Sequence, residues 1–326
     1  SEKVEVIPLW KSNNCLSILK IIHYIMRIKP DIVHYNLSLS VFGRSRIANF
    51  IGLTLPFITR LLGYKTITTM HNFPETINPE TAGLKRNIIN ITGLFLATKL
   101  ACSSHIVVVL VRSYINIVRR RYNKNTVLIP HGAWFTEVKP NYNIAPTILF
   151  LGHIGPNKDL QLLIDSYRKL KQQPKLRKIR LFIVGAPHPI FPEYIKMLKR
   201  VDGTEDIAYM GYIDNKEIPK LMEKVGVIVL PYKACTGTSG VVHLLAAFGK
   251  PIVASDHLEF RELKKEGAGI VIVKHKVEHY TKTLKKILLS NNMAKQIGKA
   301  NRKFAEKRKW SIIARKYLKL YQSLIK

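Results

Sequence analysis

The sequence predicts an α/β protein built from two Rossmann-like, doubly wound parallel-sheet domains that face a cleft. Three observations carry this prediction. Short β-branched strands alternate with amphipathic helical stretches from end to end, the pattern of parallel sheets covered by helices. The alternation forms two series, separated at 139–146 by a segment with two prolines and two asparagines that reads as a linker. The chain has 326 residues, 47% of them apolar, which is enough for two cores and excludes a disordered chain.

The first series gives strands at 4–7, 32–35, 66–70, 106–110 and 127–129, with a helix over 16–28 whose apolar residues fall at 18, 21, 22 and 25. The second gives strands at 148–151, 181–184, 227–230, 252–254 and 270–273, with a helix over 160–170. The resulting domains are 1–140 and 141–307, followed by a terminal helical segment, 308–326. The chain opens on Ser1 and almost directly on a strand, so we expect its first domain to be incomplete at the start.

Charge is the loudest compositional feature: 53 basic against 21 acidic residues, a net +32. Residues 1–140 carry 18 basic and 6 acidic side chains and residues 141–326 carry 35 and 15. Such an excess implies a polyanionic setting: an anionic membrane surface, phosphorylated substrates or nucleic acid. No recognised nucleic-acid module accompanies it. Cys15, Cys102 and Cys235 are isolated, odd in number and without a CxxC pair, which argues against a disulfide framework or a zinc site and fits a reducing cytosol. No apolar run approaches the ~18–20 residues that span a bilayer. Stretches at 16–28, 50–62 and 86–100 are amphipathic enough to lie either in the core or against lipid.

In parallel sheets ligands bind beyond the carboxyl ends of the strands. In the second series those ends carry GHIGPNKD (152–159), GAPHP (185–189), PYKACTGTSG (231–240) and SDHLEFRE (255–262); in the first they carry NLSLS (36–40), HNFPE (71–75) and PHGAW (130–134). The stretch TGTSG, Thr236, Gly237, Thr238, Ser239 and Gly240, runs straight into an apolar helical stretch. Small residues at a helix start admit an anion to unpaired backbone N–H groups, so a phosphate or diphosphate is the expected ligand.

In order and spacing, LFLGHIGPNKDLQLLIDSYRKL (149–170), LFIVGAPHP (181–189), AYMGYIDNKEIPKLMEKVGVIVLPY (208–232), GTSGVVHLLAAFGKPIVASD (237–256), RELKKEGAGIVI (261–272) and WSIIARKYLKLYQSLIK (310–326) resemble the retaining GT-B-fold glycosyltransferases of family 4. The resemblance covers nearly the whole chain and is specific mainly in its second half.

It implies roles residue by residue. A lysine at Lys158 neutralises the donor's diphosphate, whose charge grows as the glycosidic bond breaks; the plainer alternative is a surface lysine near a helix start. His153 stands where the family has arginine. Gly185 marks a close approach to the donor, and Tyr209 and Gly211 lie in the segment whose backbone meets the nucleobase. His71 follows a strand and approaches the donor sugar. The family's two glutamates fall at Thr236 and Leu244, so both carboxylates are missing, and Glu262 is the candidate ribose contact. His34 and His131 read as structural and His243 as a packed side chain. A front-face mechanism needs no protein nucleophile, and without an Asp-x-Asp motif no metal is expected. The glycine-rich loop that usually follows the family's first strand has no counterpart here.

The expected activity is therefore transfer of a sugar from a nucleotide-sugar, as substrate, to a lipid-linked or other glycan acceptor. No cofactor or metal is expected. The protein is expected to be cytoplasmic, peripheral on the inner face of the cell membrane. Two alternatives stand beside it: a catalytically impaired partner subunit of the same fold, and a nucleic-acid-binding protein.

Overall fold

The computed structural model describes residues 4–74, 87–188, 191–202, 206–235 and 237–325. Contacts divide the chain into two compact units, one formed by residues 1–130 with 314–326 and the other by 131–313.

Among the described residues, the first unit holds one parallel sheet with its strands side by side in chain order: β1 (Ile32–Leu37), β2 (Lys65–Met70), β3 (Ile106–Val109) and β4 (Thr126–Leu128). Val107, Val108 and Val109 are fully buried, as expected of an interior parallel strand covered on both faces. Helix α1 (Ser17–Ile28) buries Ile18 and Ile25, seven residues apart on one stripe, and ends where Lys29 turns left-handed at φ 46°. The stretch at 50–62 is two helices, α2 (Arg46–Leu53) and α3 (Leu55–Leu61), because Pro56 cannot continue a preceding helix but suits the first turn of a new one. Helix α4 (Ile88–Ala101), capped by the Asn87 side chain, is not amphipathic: Ile88, Ile89 and Leu96 are exposed although Ala97 and Ala101 are buried.

The strand expected at 4–7 does not form. Val4 and Val6 are 89% and 85% exposed, and among the described residues no strand pairs with them. β-Branched alternation marks only a segment able to join a sheet, and here none receives it. After α5 (Tyr114–Arg121) and β4, the unit is completed from the far end of the chain by helix α13 (Trp310–Ile325), which belongs to it from Ala314 onward. There Tyr321 Oη lies 2.6 Å from His34 Nδ1, Tyr317 Oη 3.1 Å from Thr69 Oγ1, and His34 Nε2 2.8 Å from that same threonine oxygen.

Among its described residues the second unit has a six-stranded parallel sheet. Its strands are β5 (Thr147–Leu151), β6 (Arg180–Val184), β7 (Ile207–Gly211), β8 (Val227–Leu230), β9 (Ile252–Ser255) and β10 (Ile270–Val273). Their spatial order is β10-β9-β8-β5-β6-β7. The chain starts in the middle, winds outward one way, then returns to wind the other, so its topological switch point lies between β5 and β8. Helices α6 (Leu160–Lys171), α7 (Tyr194–Asp202), α8 (Ile218–Glu223), α9 (Gly240–Leu245), α10 (Leu258–Lys265), α11 (Val277–Leu288) and α12 (Asn291–Glu306) accompany it. The segment read as a linker is strapped to this unit. Lys250 Nζ donates to Asn143 O (2.8 Å), Asn141 N to Phe248 O (3.1 Å) and Arg302 Nη1 to Val138 O (2.7 Å).

Candidate functional site

The second unit's switch point opens between the loop after β5 and the loop after β8. Both loops carry residues singled out in the sequence. The loops after β5, β6 and β7 are first sewn together through their backbones: Gly152 N donates to Val184 O (3.0 Å), Gly185 N to Gly211 O (2.7 Å), Ile154 N to Ala186 O (2.9 Å) and His188 N to Ile154 O (2.8 Å). Gly185 is required here. Its φ is +145°, and a β-carbon would stand 1.9 Å from Gly152 O. Its role is thus a close approach of backbone to backbone within the protein. Gly211, the last residue of β7, also has positive φ (+66°) but faces open space.

On this platform Lys158 ends a 3-10 turn, Pro156–Lys158. Its Nζ lies 3.3 Å from the centroid of the Tyr232 ring, a cation–π contact from below. Burial pushes the Lys158 ammonium down to about 8, against a smaller opposing effect of the Cys235 thiol. Tyr232 is buried, and its carbonyl receives the His257 ring at 2.7 Å. The loop it opens is fastened to the lysine's own turn, with Lys233 N donating to Asn157 O at 2.9 Å.

Two imidazoles flank the lysine. His153 is exposed, its ring centroid 6.3 Å from that of His188. His188 titrates below its ordinary value, first through burial and then through the positive charges of His153 and Lys158. An ammonium and two imidazoles thus gather beside one another, and an anion bound among them favours the charged form of each.

Behind them Asp159 holds the turn. It adopts φ 41°, caps α6 by accepting from Leu162 N (3.4 Å), and its other oxygen accepts from His275 Nε2 (2.7 Å) with Lys233 Nζ 3.5 Å away. His275 Nδ1 is in turn 3.1 Å from Ser255 Oγ, itself 2.8 Å from Tyr280 Oη.

Of the TGTSG stretch, Thr236 lies outside the described residues. Gly237 is buried at φ +117° and its carbonyl receives the Cys235 thiol (3.2 Å). Thr238 Oγ1 is 2.9 Å from Nε2 of the fully buried His243, which is a packed side chain stacked on His131 with centroids 4.8 Å apart. Ser239 is buried beside the Tyr232 hydroxyl, and Gly240 opens α9, exposed and with empty space where a β-carbon would stand. Leu244, at the second missing glutamate, packs against the apolar core.

Two residues stand apart from this group. Glu262 is half-buried on α10 after β9, and Tyr209 is half-buried on β7 with Lys199 Nζ 5.3 Å from its ring centroid. In the first unit His71 follows β2 and donates from Nε2 to Asn36 Oδ1 (2.6 Å), tying the loop after β2 to the end of β1. Among the described residues no group of three His, Cys, Asp or Glu side chains is placed to hold a metal ion. Tyr232, Asp159, His188 and His275 had no assigned role in the sequence reading. The first three lie in loops already picked out by the strand-end rule; His275 follows β10 and gave no signal.

Two helix-covered parallel sheets with these strand orders match the fold of solved GT-B glycosyltransferases. Residues 136–304, slightly more than half of the chain, match the family described as Glycosyl transferases group 1, and the chain belongs to that family. Among solved structures it resembles sucrose-phosphate synthase from Thermosynechococcus elongatus (TM-score 0.75, 16% identity, 95% of this chain and 78% of that one). Anabaena HepE, solved in complex with UDP-glucose, gives TM-score 0.73 and 16% identity over 94% of this chain and 82% of that one. An E. coli structure described as trehalose-6-phosphate bound with UDP-2-fluoro glucose gives 0.70 and 13% over 96% and 76%. No curated protein matches the chain.

Proposed function

We propose that this protein is a retaining, metal-independent glycosyltransferase, one that moves a sugar from a nucleotide-sugar to a lipid-linked or other glycan acceptor at the cytoplasmic face of an anionic membrane. The observation that carries the donor half of this reading is Lys158, seated on Tyr232 at the switch point with His153 and His188 beside it. A diphosphate placed there pairs with the ammonium and accepts hydrogen bonds from the imidazoles, and its charge increases as the leaving group departs, so the same contacts strengthen toward the transition state. The backbone of 237–240, fixed by Cys235 and His243, supplies further donors. His71 is proposed to hydrogen-bond a hydroxyl of the donor sugar. In the front-face route the leaving diphosphate oxygen takes the acceptor's proton while the acceptor oxygen bonds the anomeric carbon, so no protein nucleophile is required. Glu262 is the proposed ribose contact. Uridine nucleotides, which HepE and the E. coli structure carry, come first among donors. The basic excess favours an anionic membrane as the setting.

One observation favours a second reading, a catalytically impaired partner subunit of the same fold. Leu244 fills with apolar packing the place of a family carboxylate. A thermal-shift panel of nucleoside diphosphates and sugar nucleotides, on wild type and Lys158→Ala, separates the two. A ligand at a hundredfold its Kd stabilises by about 2.7 kcal/mol, a rise of several degrees. We expect one nucleotide to stabilise wild type and the variant to lose about tenfold or more in affinity. A folded wild type that no nucleotide shifts sinks the donor assignment and leaves the partner subunit.

A further inference from the structure

The amino ends of the first unit's strands, the edge opposite its ligand loops, carry a basic depression of about 500 Å³. We propose that this depression binds a phosphate group, either on a free phosphorylated compound or on a lipid headgroup. The inference does not rest on the donor site, which lies in the other unit.

The depression is lined by Arg60 of α3, His105 before β3, Arg119 of α5 and Lys124 before β4, with Ile106 and Leu324 as apolar walls. Both guanidinium groups are held in place by backbone. Arg60 Nη1 donates to Ser103 O (2.6 Å), and Arg119 donates from Nε (3.2 Å) and Nη2 (2.8 Å) to Thr126 O. A carbonyl fixes each planar fork without neutralising it and leaves further N–H groups for a ligand, so ordering costs are met in advance. The His105 tautomer follows from its partner. Nδ1 lies 3.1 Å from Thr66 N, a backbone N–H can only donate, and so Nδ1 accepts and Nε2 carries the hydrogen. Burial, then the charges of Arg60 and Lys65, hold this imidazole below its ordinary pKa, consistent with a neutral Nε2–H donor.

No acidic side chain is near His105, Arg119 or Lys124 in sequence. The chain has no Asp or Glu between residues 81 and 136 and none from 314 to 326. Among the described residues no carboxylate pairs with Arg60, Arg119 or Lys124. Two guanidinium forks, an ammonium and an imidazole N–H offer more donors than a carboxylate can accept, whereas the oxygens of a phosphate can take them. The volume lies within the range of small-molecule pockets and leaves room for the group that bears the phosphate.

The test titrates inorganic phosphate into the intact, isotope-labelled protein and follows the amides of His105, Asn125 and Thr126 by NMR, with chloride at equal ionic strength as the control. Saturable shifts that chloride does not reproduce are expected, weakened about tenfold in Arg119→Gln and in Lys124→Gln. They should persist in Lys158→Ala. Lys124 has no side-chain partner among the described residues, so its variant tests the site without disturbing the fold. Sedimentation with phosphatidylglycerol vesicles identifies the source. Several-fold lower retention of Lys124→Gln assigns a lipid headgroup; equal retention together with the phosphate shifts assigns a free compound. Shifts matched by chloride, or unchanged in both variants, overturn the proposal.

Discussion

Lys158 shows how one side chain sets opposing demands on binding and folding. Its amine is held near 8, against 10.5 for an ordinary lysine, because burial over Tyr232 penalises the charged form. A diphosphate favours the charged form, so affinity should be greatest below pH 8 and fall by up to about tenfold per pH unit above it. Stability runs the other way. The unfolded lysine keeps its proton up to about 10.5, so between 8 and 10.5 the unfolded state binds more protons and the native state gains stability as pH rises. Calorimetric titration of wild type and Lys158→Met with a nucleoside diphosphate between about pH 6.5 and 9.5 checks the binding half; the variant should be weak and flat. A slope that survives in Lys158→Met would assign the titration to another group. The position of the lysine was legible in sequence because its turn follows an apolar strand in a loop with two glycines, while its role was implied by the resemblance alone. Tyr232 was not, since nothing in PYKACTGTSG states that the ring will pass beneath a residue more than seventy positions earlier.

The elements read best were those whose burial leaves a one-dimensional trace. Strands β5, β6, β8, β9 and β10 are continuous apolar runs because both faces of a parallel sheet are covered, and the sequence places each within about a residue. Edge strand β7 ends in Tyr209, Met210 and Gly211, half-buried or exposed, and its composition does not announce it. Residues 4–7 fail in the opposite sense, with a strand-like pattern and no neighbour. Helix α13 offers a prediction at this scale. Its tyrosines close a hydrogen-bonded chain onto β1 and β2 through His34 and Thr69, and burial holds His34 near 4 so that it stays neutral. Tyr321→Phe and Tyr317→Phe should each cost about 1 kcal/mol in denaturant unfolding, the Tyr321 change more because it leaves His34 Nδ1 without its partner. Below pH 6.5 the native state should lose stability as His34 is forced to charge, a dependence that weakens in His34→Gln. Equal stability of Tyr321→Phe and wild type would show that the helix is held by apolar packing alone.

For the molecule as a whole the governing quantity is a net charge of +32. Surface ion pairs such as Lys169–Glu278 contribute little each, while repulsion among unpaired lysines and arginines acts across every separation shorter than the screening length. Raising sodium chloride from about 20 to about 200 mM should therefore raise Tm by a few degrees, whereas a chain held by its ion pairs would melt lower. The division into units has a further consequence, for the order of events during synthesis. The second unit is continuous in the chain and the first is not, since the helix that completes it follows the second unit. While a ribosome is at work, the four-stranded sheet emerges early and waits with His34 and Thr69 lacking Tyr321 and Tyr317. The second unit needs no later segment and can fold as soon as its own residues have emerged. The half of the protein that is translated first is thus the half that is finished last.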